Sequence, residues 1–235
     1  LMGMGDLTSD PSLPLELNAD AQIGPTDLRA MFPLFTPYWA ALPPRQPVEL
    51  RAALHGTSGR LAVDTLSFAL NRCVYLDAQG LVENAMNPDA LAGHVGLRGR
   101  IVNVDRIKNA FLDPATAKSL NIPPMALAGD VDMRRGGVID GRLNARTGGG
   151  ALKLQALWNS RREDYDASIS ASAFPLQAFM PLAEVSDVTA EARIKGHGYD
   201  PFKAATALTA DATVSSARYG GYTYSGISGS ATLSG

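Results

Sequence analysis

Apolar and polar residues alternate with a period of two through most of this 235-residue chain. That period commits each stretch to an extended strand with one oily and one wet face. Val48, Leu50, Ala52 and Leu54 share a side opposite Glu49, Arg51 and His55. Met125, Leu127, Gly129, Val131 and Met133 interleave with Asp130, Asp132 and Arg134 before Gly136-Gly137 turns the chain. Leu152, Leu154, Ala156 and Trp158 follow Gly148-Gly149-Gly150, and Tyr165, Ala167, Ile169, Ala171 and Ala173 alternate with Asp166 and three serines. Val188, Ala190, Ala192 and Ile194 oppose Thr189, Glu191, Arg193 and Lys195, and Leu208, Ala210, Ala212 and Val214 oppose Thr209, Asp211, Thr213 and Ser215. Less regular stretches at Leu15 to Ile23, Leu61 to Phe68, Cys73 to Leu81 and His94 to Val102 bring the expected total to about eleven or twelve strands.

A second pattern groups these strands. A short amphipathic segment bounded by proline occurs three times, as Asp27-Leu28-Arg29-Ala30-Met31-Phe32-Pro33, as Asp105 to Phe111 with Pro114 beyond, and as Pro175 to Pro181. Ile107 follows Leu28 by 79 residues, and Leu176 follows Ile107 by 69. Such spacings exceed the 20 to 50 residues or so of solenoid repeats, so each unit holds several strands plus a crossing. Helix is expected only in the crossings, at Pro25 to Met31, Val104 to Phe111 with Thr116 to Leu120, and Pro175 to Met180. The units then run over 24–103, 104–173 and from 174 to the end, with 1–23 closing a preceding one. Open sheets of more than about ten strands curl or split, so an elongated antiparallel sheet curled into a trough, sandwich or barrel follows, its oily faces turned inward.

Composition narrows the partners. A net charge of −2 without a basic run argues against nucleic acid. One cysteine, Cys73, excludes an internal disulfide framework without identifying a compartment. No window reaches the 18 or so continuous apolar residues of a membrane helix, and Leu1 to Gly5 lacks the charged start and apolar core of an export signal. Neither end carries a recognisable capping unit, which predicts an internal fragment of a longer array.

Catalytic chemistry finds little purchase. His55, His94 and His197 stand singly beside glycines, outside zinc-ligand spacing and without a nearby carboxylate pair in sequence. Cys73 lacks the surroundings of a thiol nucleophile and reads as a buried structural thiol in an alternating run. Asp130 and Asp132 share a strand face that water ordinarily covers, although together they could hold a cation. Gly148 to Lys153 lacks the Gly-Lys-Ser/Thr ending of a phosphate loop and leads into a strand. Arg161-Arg162-Glu163-Asp164 reads as a solvated turn. No enzyme, cofactor or metal is expected.

The tandem strands and crossings, with the Asp27-Leu28 to Phe32-Pro33 entry, the exit Leu50-x-Ala52-x-Leu54-x-Gly56, Gly196-His197-Gly198-Tyr199-Asp200-Pro201 and Arg218-Tyr219-Gly220-Gly221-Tyr222, resemble the AsmA-like superfamily, in particular its TamB-type members. The resemblance spans nearly the whole chain and rests on pattern more than on signature residues. It implies a mostly β, taco-like groove with an apolar lining and short helices in the crossings. It further implies a periplasmic segment of a protein anchored in the inner membrane of a Gram-negative cell. Such a protein passes phospholipids toward the outer membrane or assists outer-membrane protein assembly with a BamA-class partner. The lining would be Leu50, Leu54, Leu127, Val131, Met133, Leu152, Leu154, Trp158, Ile169, Ile194, Leu208 and Val214, holding phospholipid acyl chains. Alternation alone more often marks a packed sandwich or β-solenoid core than a lipid conduit, so the resemblance and not the periodicity carries the groove, and the Gly/Ser/Thr-rich end also suits a structural or adhesive β-repeat of a bacterial surface protein.

Overall fold

The computed structural model describes residues 12–31, 47–57, 59–70, 73–85, 87, 89–105, 108, 114–179, 184–198 and 205–234. Thirteen strands join one antiparallel sheet: β1 Pro14–Ile23, β2 Val48–Thr57, β3 Arg60–Leu70, β4 Val74–Glu83, β5 Ala92–Ile101, β6 Met125–Arg134, β7 Val138–Thr147, β8 Ala151–Asn159, β9 Asp164–Phe174, β10 Val185–His197, β11 Ala207–Tyr219, β12 Tyr222–Tyr224 and β13 Ile227–Ser234. Among the described residues three short helices, α1 Pro25–Met31, α2 Pro114–Ser119 and α3 Leu176–Phe179, interrupt them. The expected helix at Val104 to Phe111 falls mostly outside the described residues, as do Phe32, Pro33, Met180 and Pro181.

From β1 to β11 each strand pairs with its neighbours in sequence, so the sheet is an uninterrupted meander that does not close. β12 pairs with Ala217 to Tyr219 and β13 with Ala207 to Val214, two pieces of one last strand lying on β11. Tight turns follow from the glycines. Gly136 and Gly137, at φ of 86° and 76°, supply the positive φ that closes the three-residue loop from Arg135 to Gly137 between the paired Arg134 and Val138. Proline opens α1 at the position where its missing N–H costs nothing, and Asp27 stands in its positive first turn.

The helices all lie at one edge of the sheet. α1 separates β1 from β2, α2 separates β5 from β6, and α3 separates β9 from β10, with four strands between successive crossings. The buried residues gather at this edge. Val48 and Cys73 are 2% exposed and pack with Leu70 and Val104, while Ile23, Phe68, Val74, Ile101 and Ile122 close around them. Cys73 is buried as expected, but in the turn between β3 and β4, where its carbonyl accepts from the Val102 amide at 2.8 Å. Phe174 is buried and stacks on Phe179 at 5.0 Å, holding α3 to the sheet.

The opposite edge carries the hairpin tips, and hydrogen bonds link one tip to the next. The Asn84 amide donates to Gly59 O, Gly136 to Asp89 O, Ser160 to Gly137 O and Gly198 to Glu163 O. Arg161 adds a 2.6 Å ion pair to Asp89. This turn therefore does more than meet water: it ties the tips of β4/β5 and β8/β9 together.

Candidate functional site

Directly paired residues of an antiparallel sheet project from the same face, so the register can be followed across the whole sheet. From Ala21 it runs Ala21, Leu50, Phe68, Leu76, Gly99, Leu127, Ala145, Leu152, Ala171, Ala190, Val214 and Ile227, one residue per strand from β1 to β11 and ending on β13. Three neighbouring rows start at Ala19, Leu17 and Leu15 and cross the same strands. All four contain only Gly, Ala, Val, Leu, Ile, Met, Phe, Trp and Tyr, with no charged residue.

Every residue expected in an apolar lining falls in these rows. Leu50, Leu127, Leu152 and Val214 stand in the first, Leu154 and Ile169 in the second, Leu54, Val131 and Ile194 in the third, and Met133, Trp158 and Leu208 in the fourth. Also present are Leu66, Phe68, Leu76, Leu97 and Leu143, which sequence reading did not single out. β7 carried a plain signal for Leu143, because Ile139, Gly141, Leu143 and Ala145 alternate with Asp140, Arg142, Asn144 and Arg146.

This face has no second layer among the described residues, since all thirteen strands belong to the one sheet. None of the twelve lining residues is buried; Trp158 is 38% exposed, and Leu76 beside them 42%. Twelve strands about 4.8 Å apart, carrying four rows, present an apolar surface on the order of 1,000 Å². Monomeric proteins seldom leave more than a few hundred Å² of contiguous apolar surface open. Between β3 and β7 the face is concave, and a depression of about 300 Å³ is lined by Leu66, Phe68, Leu76, Leu97, Leu127 and Leu143. Of the trough, sandwich and barrel that the strand count left open, the structure shows the open form: one unclosed, mostly antiparallel sheet with a few short helices, its apolar side accessible among the described residues.

The reverse face is ionic and internally paired. Arg142 reaches Asp130 at 2.6 Å and Asp132 at 3.1 Å, and His94 Nδ1 lies 2.7 Å from Asp132. The bond from His94 outweighs the opposing effect of burial and, with the lesser contributions of the charges on His94, Arg142 and Arg134, holds the Asp132 carboxyl below its ordinary range. Arg193 bonds Asp166 at 2.7 Å and lowers that carboxyl likewise. His55 and His197 also meet carboxylates, Asp64 at 2.6 Å and Asp164 at 2.9 Å. The histidines thus stand singly in sequence but not in space. Their partners sit on adjacent strands, and strand register is invisible to a linear search.

His94, Asp130 and Asp132 place ligand atoms within 4.8 Å of one another. The guanidinium of Arg142 already supplies the positive charge between the two carboxylates, which accounts for the cluster as an ion-pair network. A hollow of about 570 Å³ also lies on this side, walled by Lys153, Gln155, Ser168, Glu191, Arg193 and Asp211. A twisted sheet is saddle-shaped and offers concavity on both sides. Covering the ionic hollow would strip water from charges, whereas covering the other face removes only hydrocarbon from water. The candidate site is therefore the apolar face, although its hollow is the smaller one.

Comparison with known proteins returns no similar family model, curated protein or solved structure.

Proposed function

We propose that this chain is a lipid-carrying segment of a bacterial envelope protein, whose apolar sheet face holds phospholipid acyl chains as they pass between membranes. The observation that carries the reading is the four unbroken apolar rows, which no second layer covers among the described residues. Moving an acyl chain from water onto such a surface is worth up to about 0.8 kcal/mol per CH₂ group, hence roughly 12 kcal/mol for sixteen carbons fully enclosed. The affinity is distributed: no residue in a row is unique, so a chain can slide from one strand to the next at little cost. Direction is supplied from outside the segment.

The resemblance to TamB-type AsmA-like proteins supports the same reading and adds its setting, the periplasm of a Gram-negative cell, with anchorage in the inner membrane and a BamA-class partner at the outer one. A structural or adhesive repeat would be expected to bury its oily face within itself, which favours cargo over scaffold.

The test is native mass spectrometry with lipid extraction on the chain purified from a Gram-negative host, beside Leu154→Asp. Co-purified phospholipid that is lost in a folded Leu154→Asp protein is the expected result. A folded wild-type chain that neither retains phospholipid nor takes it up from vesicles would refute the reading.

A further inference from the structure

The two long rims of the apolar face differ in chemistry. At the crossing edge the face runs into the buried cluster of Val48, Leu70, Cys73 and Val104 over β2 to β5, and over β6 to β9 the same edge holds the buried Met125, Ala145 and Phe174, so hydrocarbon there is shielded from water. At the tip edge the outermost apolar row ends in Met133, Ile139, Trp158 and Tyr165 on four consecutive strands, with Trp158 and Tyr165 directly paired. Aromatic rings with one polar atom favour the level where hydrocarbon gives way to water. Two residues beyond Met133 stands Arg135, and three residues before Tyr165 stands Arg162, both exposed in hairpin turns. Those turns are held side by side by the Ser160 amide on Gly137 O.

Four arginines cluster here, Arg134 at the end of β6 and Arg135, Arg161 and Arg162 in the two turns, and they divide evenly. Arg134 pairs with Asp140 and Arg161 with Asp89. Among the described residues no carboxylate stands within ion-pair distance of Arg135 or Arg162. Two guanidinium groups with no carboxylate partner among the described residues, beside an aromatic pair at the open margin of an apolar surface, form a surface complementary to a phosphate attached to hydrocarbon. We infer that the tip rim over β6 to β9 is the headgroup side of the groove, where Arg135 and Arg162 hold the phosphate and favour phospholipids of net negative charge over zwitterionic ones. This assignment rests on the lipid-carrying reading and adds orientation and selectivity to it. Acyl chains then lie across the rows with their ends toward the crossing edge.

Exposed guanidinium–phosphate contacts are individually modest, so the pair is expected to enrich an anionic lipid about threefold to tenfold. The experiment loads the purified chain from vesicles of equal phosphatidylglycerol and phosphatidylethanolamine and measures both the total bound lipid and its composition. Wild-type protein enriched in phosphatidylglycerol, with Arg135→Gln/Arg162→Gln binding as much lipid at the composition of the vesicles, is the expected result. Arg134→Gln/Arg161→Gln is the control for general loss of positive charge and should retain the enrichment. Bound lipid without enrichment in wild type, or enrichment that survives Arg135→Gln/Arg162→Gln, overturns the headgroup assignment and leaves the groove standing. No lipid bound by folded wild type overturns both.

Discussion

Leu154 on β8 stands directly opposite Ile169 on β9, and both remain partly exposed although they lie near the middle of a thirteen-stranded sheet. In a sandwich this pair would be core. Here the position is central along the sheet but has no second layer above it among the described residues, and that separation between centrality and burial governs how substitutions act.

Stability should track the crossing edge, not the apolar face. Leu70 is 6% exposed within the buried cluster, whereas Leu143 is 37% exposed. Leu70→Ala is expected to cost about 2 to 5 kcal/mol, as buried leucine truncations do. Leu143→Ala should cost clearly less, about 1 to 2 kcal/mol, because more than a third of its surface is already in water. Urea unfolding of the lipid-free chain measures both, and equal large losses would mean that the face is covered by something in solution.

The acid limb of stability should depend on the ionic face. Asp132 and Asp166 have carboxyls lowered by His94 and Arg193 respectively. A lowered native pKa contributes stability above the ordinary carboxylate range, and that contribution disappears as pH falls through the lowered value. Asp132→Asn should therefore be less stable than wild type at neutral pH, with the gap shrinking below about pH 4. A gap that stays constant down to pH 2.5 or so would show that the bond from His94 does not control this titration.

Glycines in the sheet divide by what lies beside them. At Gly93, with φ of 146°, an added Cβ would fall 2.2 Å from Leu81 O, so the adjacent backbone must move. Gly96, three residues along the same strand, has its nearest neighbour at 3.7 Å and an unstrained φ. Gly93→Ala is expected to destabilise by about 1 to 3 kcal/mol. Gly96→Ala should be neutral or stabilising by up to about 1 kcal/mol, since it removes freedom from the unfolded chain. Thermal melts of the two variants give the ordering, and similar losses in both would contradict the close approach at Gly93.

What could be read from sequence, and what could not, follows from the period of two. That period assigns each strand's faces without reference to any partner, which is why twelve residues chosen by alternation alone fall on one side of the sheet. It fails where a bulge inserts a residue. In β3 the pairing shifts between Val63 and Leu66, so Leu61 and Val63 share a face with Leu66, Phe68 and Leu70 although their numbers change parity. Alternation there reads as irregular, and Leu66 and Phe68 escape notice. Contacts between strands are illegible for another reason: Asp89 meets Arg161 across 72 positions and His94 meets Asp132 across 38, and nothing local marks either partner. That no second layer covers the face among the described residues is likewise a property of the assembled sheet, since an alternating strand looks the same under a covering as without one.

The sidedness of the sheet gives the sharpest discrimination between cargo binding and general disruption. Leu154 and Gln155 are adjacent in the chain, yet Leu154 pairs with Ile169 on the apolar face and Gln155 with Ser168 on the ionic one. Leu154→Asp and Gln155→Asp introduce the same charge into the same strand and break no backbone hydrogen bond. On the ionic face the new carboxylate stays hydrated and has Arg142 as a cross-strand neighbour. On the apolar face it would have to lose water beneath every acyl chain that passes, a penalty of several kcal/mol that a bound tail cannot offset locally. Vesicle-to-vesicle transfer of fluorescent phospholipid should therefore fall at least about tenfold with Leu154→Asp and change less than about twofold with Gln155→Asp, since 1.4 kcal/mol corresponds to a factor of ten. Equal effects from the two would place lipid passage on neither face and return the open apolar surface to the role of a docking site for another protein.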